Sequence, residues 1–273
     1  AALAGRPELP EGLVRHGRLL AGTLIEPHPG GRGVVVIARA GWSPEAMDFT
    51  DDDDASSQAS EPLRLDQHLT DVESWARNLG HLAGLPGALV DALALAGRMH
   101  DLGKADPRFQ TLLRGGNRLG APRNELLAKS AAMLTGAAAR RARERSGYPD
   151  GGRHELLSLA LLDAQAQVLA EAADRGLDTD LVRHLVASHH GRCRPFAPVV
   201  VDVAPITIHA TMLGQAWSAS TATRHERLDS GVTERFWSLS LRYGHWGLAY
   251  LETCLRLADH RASEAAETGA PTP

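Results

Sequence analysis

Hydrophobic positions between residues 62 and 265 recur with the spacing of helices. Apolar residues three and four positions apart share one face of a helix, whereas a strand would alternate every second residue. The first stripe ends at Gly80, Pro86 can start the second helix and Gly103 is its expected stop. Thr179 is expected to cap the fourth helix and Gly191 to end it. The pattern predicts five main helices, over 65–80, 86–100, 154–161, 179–189 and 237–259.

Two regions depart from this helical pattern. Residues 33–37 (GVVVI) predict a short buried strand after a turn at Gly30-Gly31, and residues 51–58 (DDDDASSQ) predict a polar linker. We therefore expect an N-terminal extension over 1–60 and a helical domain over 61–273. Within that domain, prolines interrupt 193–232. There Val199–Val201 and Ile206–Ile208 predict a small β-hairpin excursion.

The composition agrees with a mainly α fold and limits the partners and the cellular compartment that we expect. Hydrophobic residues make up 43% of the 273 positions, aromatic residues only 4%, and the formal net charge is −4. Such a chain can form a core, but it has no overall basic character for binding duplex DNA. Two distant cysteines exclude a zinc ribbon and favour a reducing cytoplasm. No apolar run reaches the ~18–20 residues of a membrane span, so we expect no membrane association.

The apolar stripes carry polar residues at positions that should face the core. A buried carboxylate or imidazole is costly unless it is hydrogen-bonded, paired or bound to metal. Several helices share this feature, and a single pair of metal ions bound between them would account for all of these buried polar residues. These residues are His68, His100, His154, His189 and Asp259.

Taken singly, each of these residues has an ordinary structural explanation. His68 or His154 alone is more often a hydrogen-bonded core histidine, and Asp259 can pair with Arg256 or Arg261. The pair His189-His190 also suits a helix C-terminus. We expect structural roles for the remaining histidines, His16, His28, His81, His184, His209, His225, His245 and His260.

The most informative run is residues 99–104, MHDLGK. Adjacent His100 and Asp101 at a helix end provide two metal-type ligands. Gly103 allows a sharp turn after them, which would leave Lys104 free to reach a phosphate. The alternative for Lys104 is a solvated surface lysine.

Four motifs in order resemble the HD nuclease domain of the type I CRISPR-associated nuclease-helicase. They are LDQHLTDVESWA with LAGRMHDLGKADPRFQ, then RHELLS, SHHGR and LRLADHRASE, and they span roughly residues 62–265. SHHGRCRP and RLADHRASE are most similar to the subtype in which the HD domain follows the helicase (type I-G, formerly I-U). The resemblance implies an HD-superfamily helical bundle. On this view residues 1–60 are the tail of a preceding helicase region; the sequence itself has no GxxxxGK[ST] motif.

The resemblance also implies a set of site residues. Asp101 would bridge two metal ions, one held by His68, His100 and Asp259, the other by His154, His189 and His190. Two ions so bridged can clamp the attacking and leaving oxygens of a phosphoryl transfer, and activate a water. Lys104, Arg192 and Ser263 are the expected substrate contacts, with Asp101 and Lys104 the expected catalytic residues.

Ligand type and resemblance together predict the activity. Five imidazoles are too nitrogen-rich for Mg²⁺, so Mn²⁺, Fe²⁺, Co²⁺ or Ni²⁺ is expected. The leading hypothesis is a nuclease for single-stranded DNA. It would act with a helicase region, fused or in trans, and with a CRISPR RNA-guided surveillance complex. The first alternative is an HD phosphohydrolase of nucleotides or cyclic nucleotides, and the second is a non-catalytic module with a structural metal.

Overall fold

The computed structural model describes residues 23–27, 34–38, 61–117, 125–130 and 136–273. Contacts between Cα atoms divide the chain into two units, 1–49 and 50–273. In the first unit, strands β1 (Thr23–Pro27) and β2 (Val34–Ala38) pair antiparallel. This confirms the strand predicted at 33–37. The expected turn at 30–31, the linker at 51–58 and the boundary near residue 60 lie outside the described residues.

The second unit is mainly helical, as predicted. Nine α-helices and two 3₁₀ turns are present among its described residues, with two small sheets. The helices are α1 (Leu65–Leu82), α2 (Gly87–Met99), α3 (Pro107–Leu113), α4 (Gly136–Ser146), α5 (His154–Ala164), α6 (Ala166–Asp174), α7 (Thr179–Ser188), α8 (Val232–Tyr243) and α9 (His245–Thr268). The 3₁₀ turns are Leu102–Ala105 and Leu228–Ser230.

The core forms where α1 packs against α2 and α9, and where α5 and α7 close the bundle. Leu65, Leu69 and Val72 of α1 are fully buried, as the stripe predicted. Gly97 of α2 allows a close approach to α1, because a Cβ there would lie 3.0 Å from the Val72 carbonyl oxygen. These contacts hold the ends of several helices close together at one place.

Two short antiparallel sheets complete the second unit. Strand β3 (Leu63–Arg64) pairs with β4 (Leu127–Lys129) just before α1 begins. Strands β5 (Thr207–Met212) and β6 (Gln215–Ser220) form a hairpin joined at Leu213-Gly214. The excursion predicted in 193–232 is therefore present, and the strand predicted at Ile206–Ile208 overlaps β5, but the strand predicted at Val199–Val201 is wrong. Residues 199–201 form no strand, because the hairpin closes through the later turn.

The last stripe is not one helix. The chain breaks at Gly244, whose φ of +73° is the left-handed region that glycine tolerates best, and α8 and α9 result. Leu241, expected in the core, is 89% exposed, and Trp237 is half exposed. Helical spacing continued across Gly244 by coincidence, so the prediction of a single helix from Trp237 was wrong.

Three predicted helix ends also differ. Helix α1 continues past Gly80 to Leu82, and α2 ends at Met99 before the 3₁₀ turn that contains Gly103. The cap of α7 is Asp178, whose carboxylate accepts hydrogen bonds from the amides of Asp180 and Leu181; Thr179 is the first helical residue. Aspartate caps well because its oxygen reaches the free amides of the first turn.

Among the described residues, no single helix has the length and hydropathy of a membrane span. Helices α5 and α6 meet these criteria only as a pair, and they are bent by 74° to each other.

Candidate metal centre

Seven polar side chains from separate elements meet inside the bundle. His68 lies on α1, His100 and Asp101 follow α2, His154 begins α5, His189 and His190 follow α7, and Asp259 lies on α9. The sequence alone placed five of them on apolar stripes and the other two directly beside these. His68 and Asp259 lie within helices, whereas the other five lie at a helix end or just beyond one.

The carboxylate of Asp101 lies at the middle of this cluster. Its Oδ2 is 3.4 Å from His68 Nε2 and 3.3 Å from His100 Nε2, while its Oδ1 is 3.0 Å from His154 Nε2 and 3.6 Å from His189 Nε2. The two oxygens thus face two different sets of histidines. This is the arrangement of a carboxylate that can bridge two cations.

The cluster separates into two groups of possible metal ligands. In each group, one ligand atom from every residue lies within 4.8 Å of the others. The groups are Asp101 with His154, His189 and His190, and His68 with His100 and Asp259. Asp259 Oδ1 is 3.2 Å from His68 Nε2 and 4.0 Å from His100 Nε2. The members are those that the resemblance implied, except that Asp101 meets this distance only in the first group; metal binding by them stays a prediction.

Backbone carbonyl groups orient two of the histidines. The Nδ1 of His100 is 2.7 Å from the Gly97 carbonyl oxygen, and that of His189 is 2.8 Å from the Val186 carbonyl oxygen. With Nδ1 carrying the proton, Nε2 has a lone pair directed at Asp101. Such contacts behind a ligand fix the tautomer that a metal requires.

Both carboxyl groups in the centre favour the ionised form. Burial acts to raise the pKa of Asp101, but His100 and Lys104 outweigh it and hold that pKa well below its usual range. Burial acts in the same direction on Asp259, and the adjacent imidazole of His68 holds its pKa well below the usual range. Two anionic ligands are therefore in place near neutral pH.

The imidazoles differ among themselves. Burial lowers the pKa of His100 and, with His189 and His154 nearby, that of His190 well below the usual value. Burial also acts to lower the pKa of His68 and His189, but the adjacent carboxylate of Asp101 outweighs it and raises both. In the absence of metal, these raised pKa values favour the protonated form of both histidines beside the carboxylates.

The residues present fit a metal pair. Buried atoms without a hydrogen-bond partner among the described residues concentrate here, although leaving such atoms unpaired is costly. They include His68 Nε2, His100 Nε2, Asp101 Oδ1, His189 Nε2 and Asp259 Oδ1. All are atoms that can coordinate a cation, and they point at one another. A divalent cation in each group would satisfy them.

Gly103 and Ser158 bring the His-Asp pair against α5. A Cβ on Gly103 would lie 2.0 Å from the His154 carbonyl oxygen, which only glycine avoids. The Gly103 amide donates to Ser158 Oγ, and that hydroxyl donates to the His154 carbonyl. The need for glycine is therefore close approach, not the sharp turn that the sequence suggested.

Lys104 is buried, at 3% exposure, and is not the solvated lysine of the alternative. Its Nζ lies 2.8 Å from Asp101 Oδ2 and donates to the Ala128 carbonyl at 3.2 Å. It thus contacts the bridging carboxylate directly. Its expected contact with a phosphate stays a prediction.

The other expected substrate contacts lie at the edges of the centre. Arg192 is half-buried two residues after His190. The hydroxyl of Ser263 donates to the Asp259 carbonyl one turn earlier in α9, so its proton is engaged in the helix. The alternative ion pairs for Asp259 are absent among the described residues, where Arg261 pairs with Glu264 instead.

Sequence reasoning missed several buried residues around the centre. Lys129, at the end of β4, is 7% exposed and interacts electrostatically with Asp259 and Asp101; burial lowers its pKa. Glu155 is fully buried, and its nearest cation is Arg153 at 3.7 Å. Ser158 had a recognisable signal, since it is a hydroxyl one turn after His154 in an apolar helix. Lys129 had none, because β4 is brought in by tertiary pairing.

A helical bundle with a His-Asp cluster around one shared carboxylate defines the class of metal-dependent hydrolases called HD proteins. The chain belongs to one family of that class: the model for the HD domain of Cas3 matches residues 52–228, more than half of the chain. This family provides the nuclease of CRISPR systems, as the four motifs implied. Searches of curated proteins and of solved structures gave no match.

Proposed function

We propose that this chain is a nuclease that hydrolyses phosphodiester bonds of single-stranded DNA during CRISPR interference, with two metal ions bound around Asp101. The single observation that supports this most strongly is the division of the Asp101 carboxylate. One oxygen faces His68 and His100, and the other faces His154 and His189. A one-metal site would not need a carboxylate presented on both sides.

Two divalent ions in these groups would supply Lewis acidity. They would also lower the pKa of a water molecule, so that it can lose a proton and attack phosphorus near neutral pH. The chain's own residues hold that arrangement in readiness. Asp101 and Asp259 contribute negative charge, and the carbonyls of Gly97 and Val186 orient two imidazoles. In this proposal Lys104, beside Asp101, neutralises charge and contacts the substrate phosphate, and Arg192 and Ser263 contact flanking phosphates.

The donor set favours particular metals. Five imidazole nitrogens and two carboxylates suit Mn²⁺, Fe²⁺, Co²⁺ or Ni²⁺, whereas Mg²⁺ prefers oxygen and water. We propose that one of these transition metals supports more activity than Mg²⁺. A helicase region, fused or in trans, and an RNA-guided surveillance complex would deliver the DNA strand. The subtype with the HD domain after the helicase is part of the same proposal.

The same centre would serve a phosphohydrolase acting on nucleotides or cyclic nucleotides, which is the second candidate. The family match favours DNA as substrate. A purely structural metal is disfavoured by the half-exposed His190, because a structural site encloses its ion.

The test uses metal-stripped protein with circular single-stranded DNA, and in parallel with a panel of nucleotides. Mn²⁺, Co²⁺, Ni²⁺ or Mg²⁺ is then added back. We expect degradation of the circle, fastest with a transition metal, and no hydrolysis of nucleotides. Asp101→Asn should reduce cleavage at least 1,000-fold and lower the metal content, since it removes the shared anion.

His209→Asn is the matched control, because His209 lies on the β5–β6 hairpin outside both ligand groups. It should retain cleavage and metal. Intact DNA together with hydrolysed nucleotides would support the second candidate. Full activity of Asp101→Asn with its metal retained would contradict the two-metal proposal.

A further inference from the structure

A cavity of about 340 Å³ is lined by Arg153, the residue that precedes the ligand His154 in the sequence. Its walls come from segments that flank the ligand motifs in sequence. One wall comes from residues 106, 108, 148–149, 152–153 and 156–157, and the other from residues 199–202, 221–224 and 226. The segment after the His-Asp pair and the proline-rich excursion thus meet at one place.

Arg108 joins these two walls. Its guanidinium donates to both oxygens of Asp106 at the start of α3, and to both oxygens of Asp202 across the cavity. Asp202 also accepts a hydrogen bond from the hydroxyl of Thr221. Residues 199–202 are not strand, yet this network holds them in place. The cavity is therefore a built feature and not a chance gap beside a loose loop.

The cavity lining combines apolar surface with three arginines and three carboxylates, and two of the carboxylates are paired within the network just described. Tyr148, Leu156 and Val200 supply aromatic and aliphatic surface, whereas Arg153 and Arg224 supply cations. Arg224 is exposed, and its guanidinium forms no ion pair within the described part of the chain. An apolar floor with cations at the edge suits a flat aromatic ring attached to a phosphate.

The position of the cavity connects it with the metal centre. Arg153, in its wall, immediately precedes the ligand His154. The Phe109 ring packs between the Tyr148 ring, which lines the cavity, and the same histidine. It lies 5.2 Å from the Tyr148 ring and 5.4 Å from the His154 ring, measured between centroids. Two aromatic rings, those of Tyr148 and Phe109, thus connect the cavity with a ligand.

We infer that this cavity is a nucleobase subsite, which receives a base of the single strand next to the phosphodiester at the metal centre. The inference rests on the proposed function and specifies how that site holds its substrate. The volume of the cavity lies at the low end for ligand pockets and suits one nucleotide, not a folded segment of a protein. Stacking and cation contacts of this kind tolerate any base, so the subsite holds the strand without selecting its sequence.

The experiment compares two variants of the cavity with matched controls in the full chain. Val200→Trp fills the cavity, and Val203→Trp adds the same ring at a position in the same loop that is 90% exposed and outside the lining. Arg224→Ala removes the edge cation, and Arg227→Ala removes an exposed arginine three residues later that pairs with Asp229. Binding of a fluorescein-labelled oligothymidylate is measured by anisotropy in the presence of chelator, so that it does not depend on cleavage.

We expect Val200→Trp to raise the Kd for the oligonucleotide about tenfold and Arg224→Ala about threefold to tenfold. Both controls should stay within twofold of the unmodified protein. Hydrolysis of bis(4-nitrophenyl) phosphate with added metal is the second readout. This small diester needs the metal centre but not the cavity, so Arg224→Ala should hydrolyse it at the unmodified rate.

The subsite is refuted if both cavity variants bind the oligonucleotide as well as their controls, or if the unmodified protein binds none. If Val200→Trp also loses diester hydrolysis, the added ring has disturbed the centre, and Arg224→Ala alone decides. Protein that binds DNA but cleaves neither DNA nor the diester contradicts the proposed function. The binding comparison then still decides the subsite.

Discussion

At the scale of the residue, the chemistry of the centre depends on opposing effects on individual pKa values. Burial alone would neutralise every ionisable group in the cluster. The contacts with Asp101 reverse this for His68 and His189, whose pKa values rise, but not for His100 and His190, whose pKa values fall. The metal-free centre therefore favours protonation of His68 and His189 more than that of His100 and His190.

Metal binding should release protons for this reason. In metal-free protein, protonation of His68 and His189 contributes stability below the unfolded pKa of about 6.5. That contribution is lost as pH rises through their raised folded pKa values. A metal must displace these protons, so its affinity should increase as pH rises through and above about 6.5.

Calorimetric titration with Mn²⁺ at one pH near 7, in buffers of different ionisation enthalpy, measures the protons released. We expect release of more than one proton per molecule. A binding enthalpy that is the same in every buffer would show that the histidines are already neutral, contrary to this account.

At the scale of the element, short connections decide whether the ligands meet. The 3₁₀ turn Leu102–Ala105 passes so close to the start of α5 that Gly103 touches the His154 carbonyl. Ser158 ties the same two elements together by two hydrogen bonds. One contact thus sets the distance between the Asp101 carboxylate and the imidazole of His154.

Gly103→Ala should disrupt this contact. The added methyl group overlaps the His154 carbonyl oxygen, so we expect a loss of about 3 kcal/mol in the free energy of unfolding, with weaker metal binding. Gly87→Ala is the control, because a Cβ there meets nothing within 4 Å and lies at a helix start. Denaturant unfolding and metal analysis measure both effects. Equal stability of the two variants would show that the turn can move away without cost.

At the scale of the whole molecule, the metal centre joins elements that are distant in the sequence. Its ligands come from α1, α5, α9 and the residues after α2 and α7, so bound metal links most of the bundle. Without bound metal, the buried carboxylates and unpaired imidazole atoms of the centre destabilise the fold. Stability and metal loading should therefore be coupled.

Metal removal should lower the melting temperature by several degrees. A ligand at 100 times its Kd stabilises the native state by about 2.7 kcal/mol, and each kcal/mol corresponds to roughly 2–4 °C in a domain of this size. Scanning calorimetry with and without Mn²⁺ measures the shift, and Asp101→Asn should lose most of it. An identical shift in that variant would mean that the metal stabilises the fold from another site.

The sequence by itself determined the helical class, the stripes and the order of the motifs, because periodicity and ligand spacing are local properties. It also placed a strand at 33–37 correctly. It failed where local patterns were ambiguous: helical spacing ran through Gly244, and valine-rich residues 199–201 resembled a strand but were not one.

Only the tertiary structure decided which atoms face one another. The two-sided contacts of Asp101, the burial of Lys104 and Lys129, and the passage of Gly103 over the His154 carbonyl depend on packing between distant segments. The cavity lined by Arg153 also depends on packing between distant segments, since its two walls are more than forty residues apart in the chain. Local propensity specifies a helix and the residues on each of its faces, but only packing specifies the partner of each face.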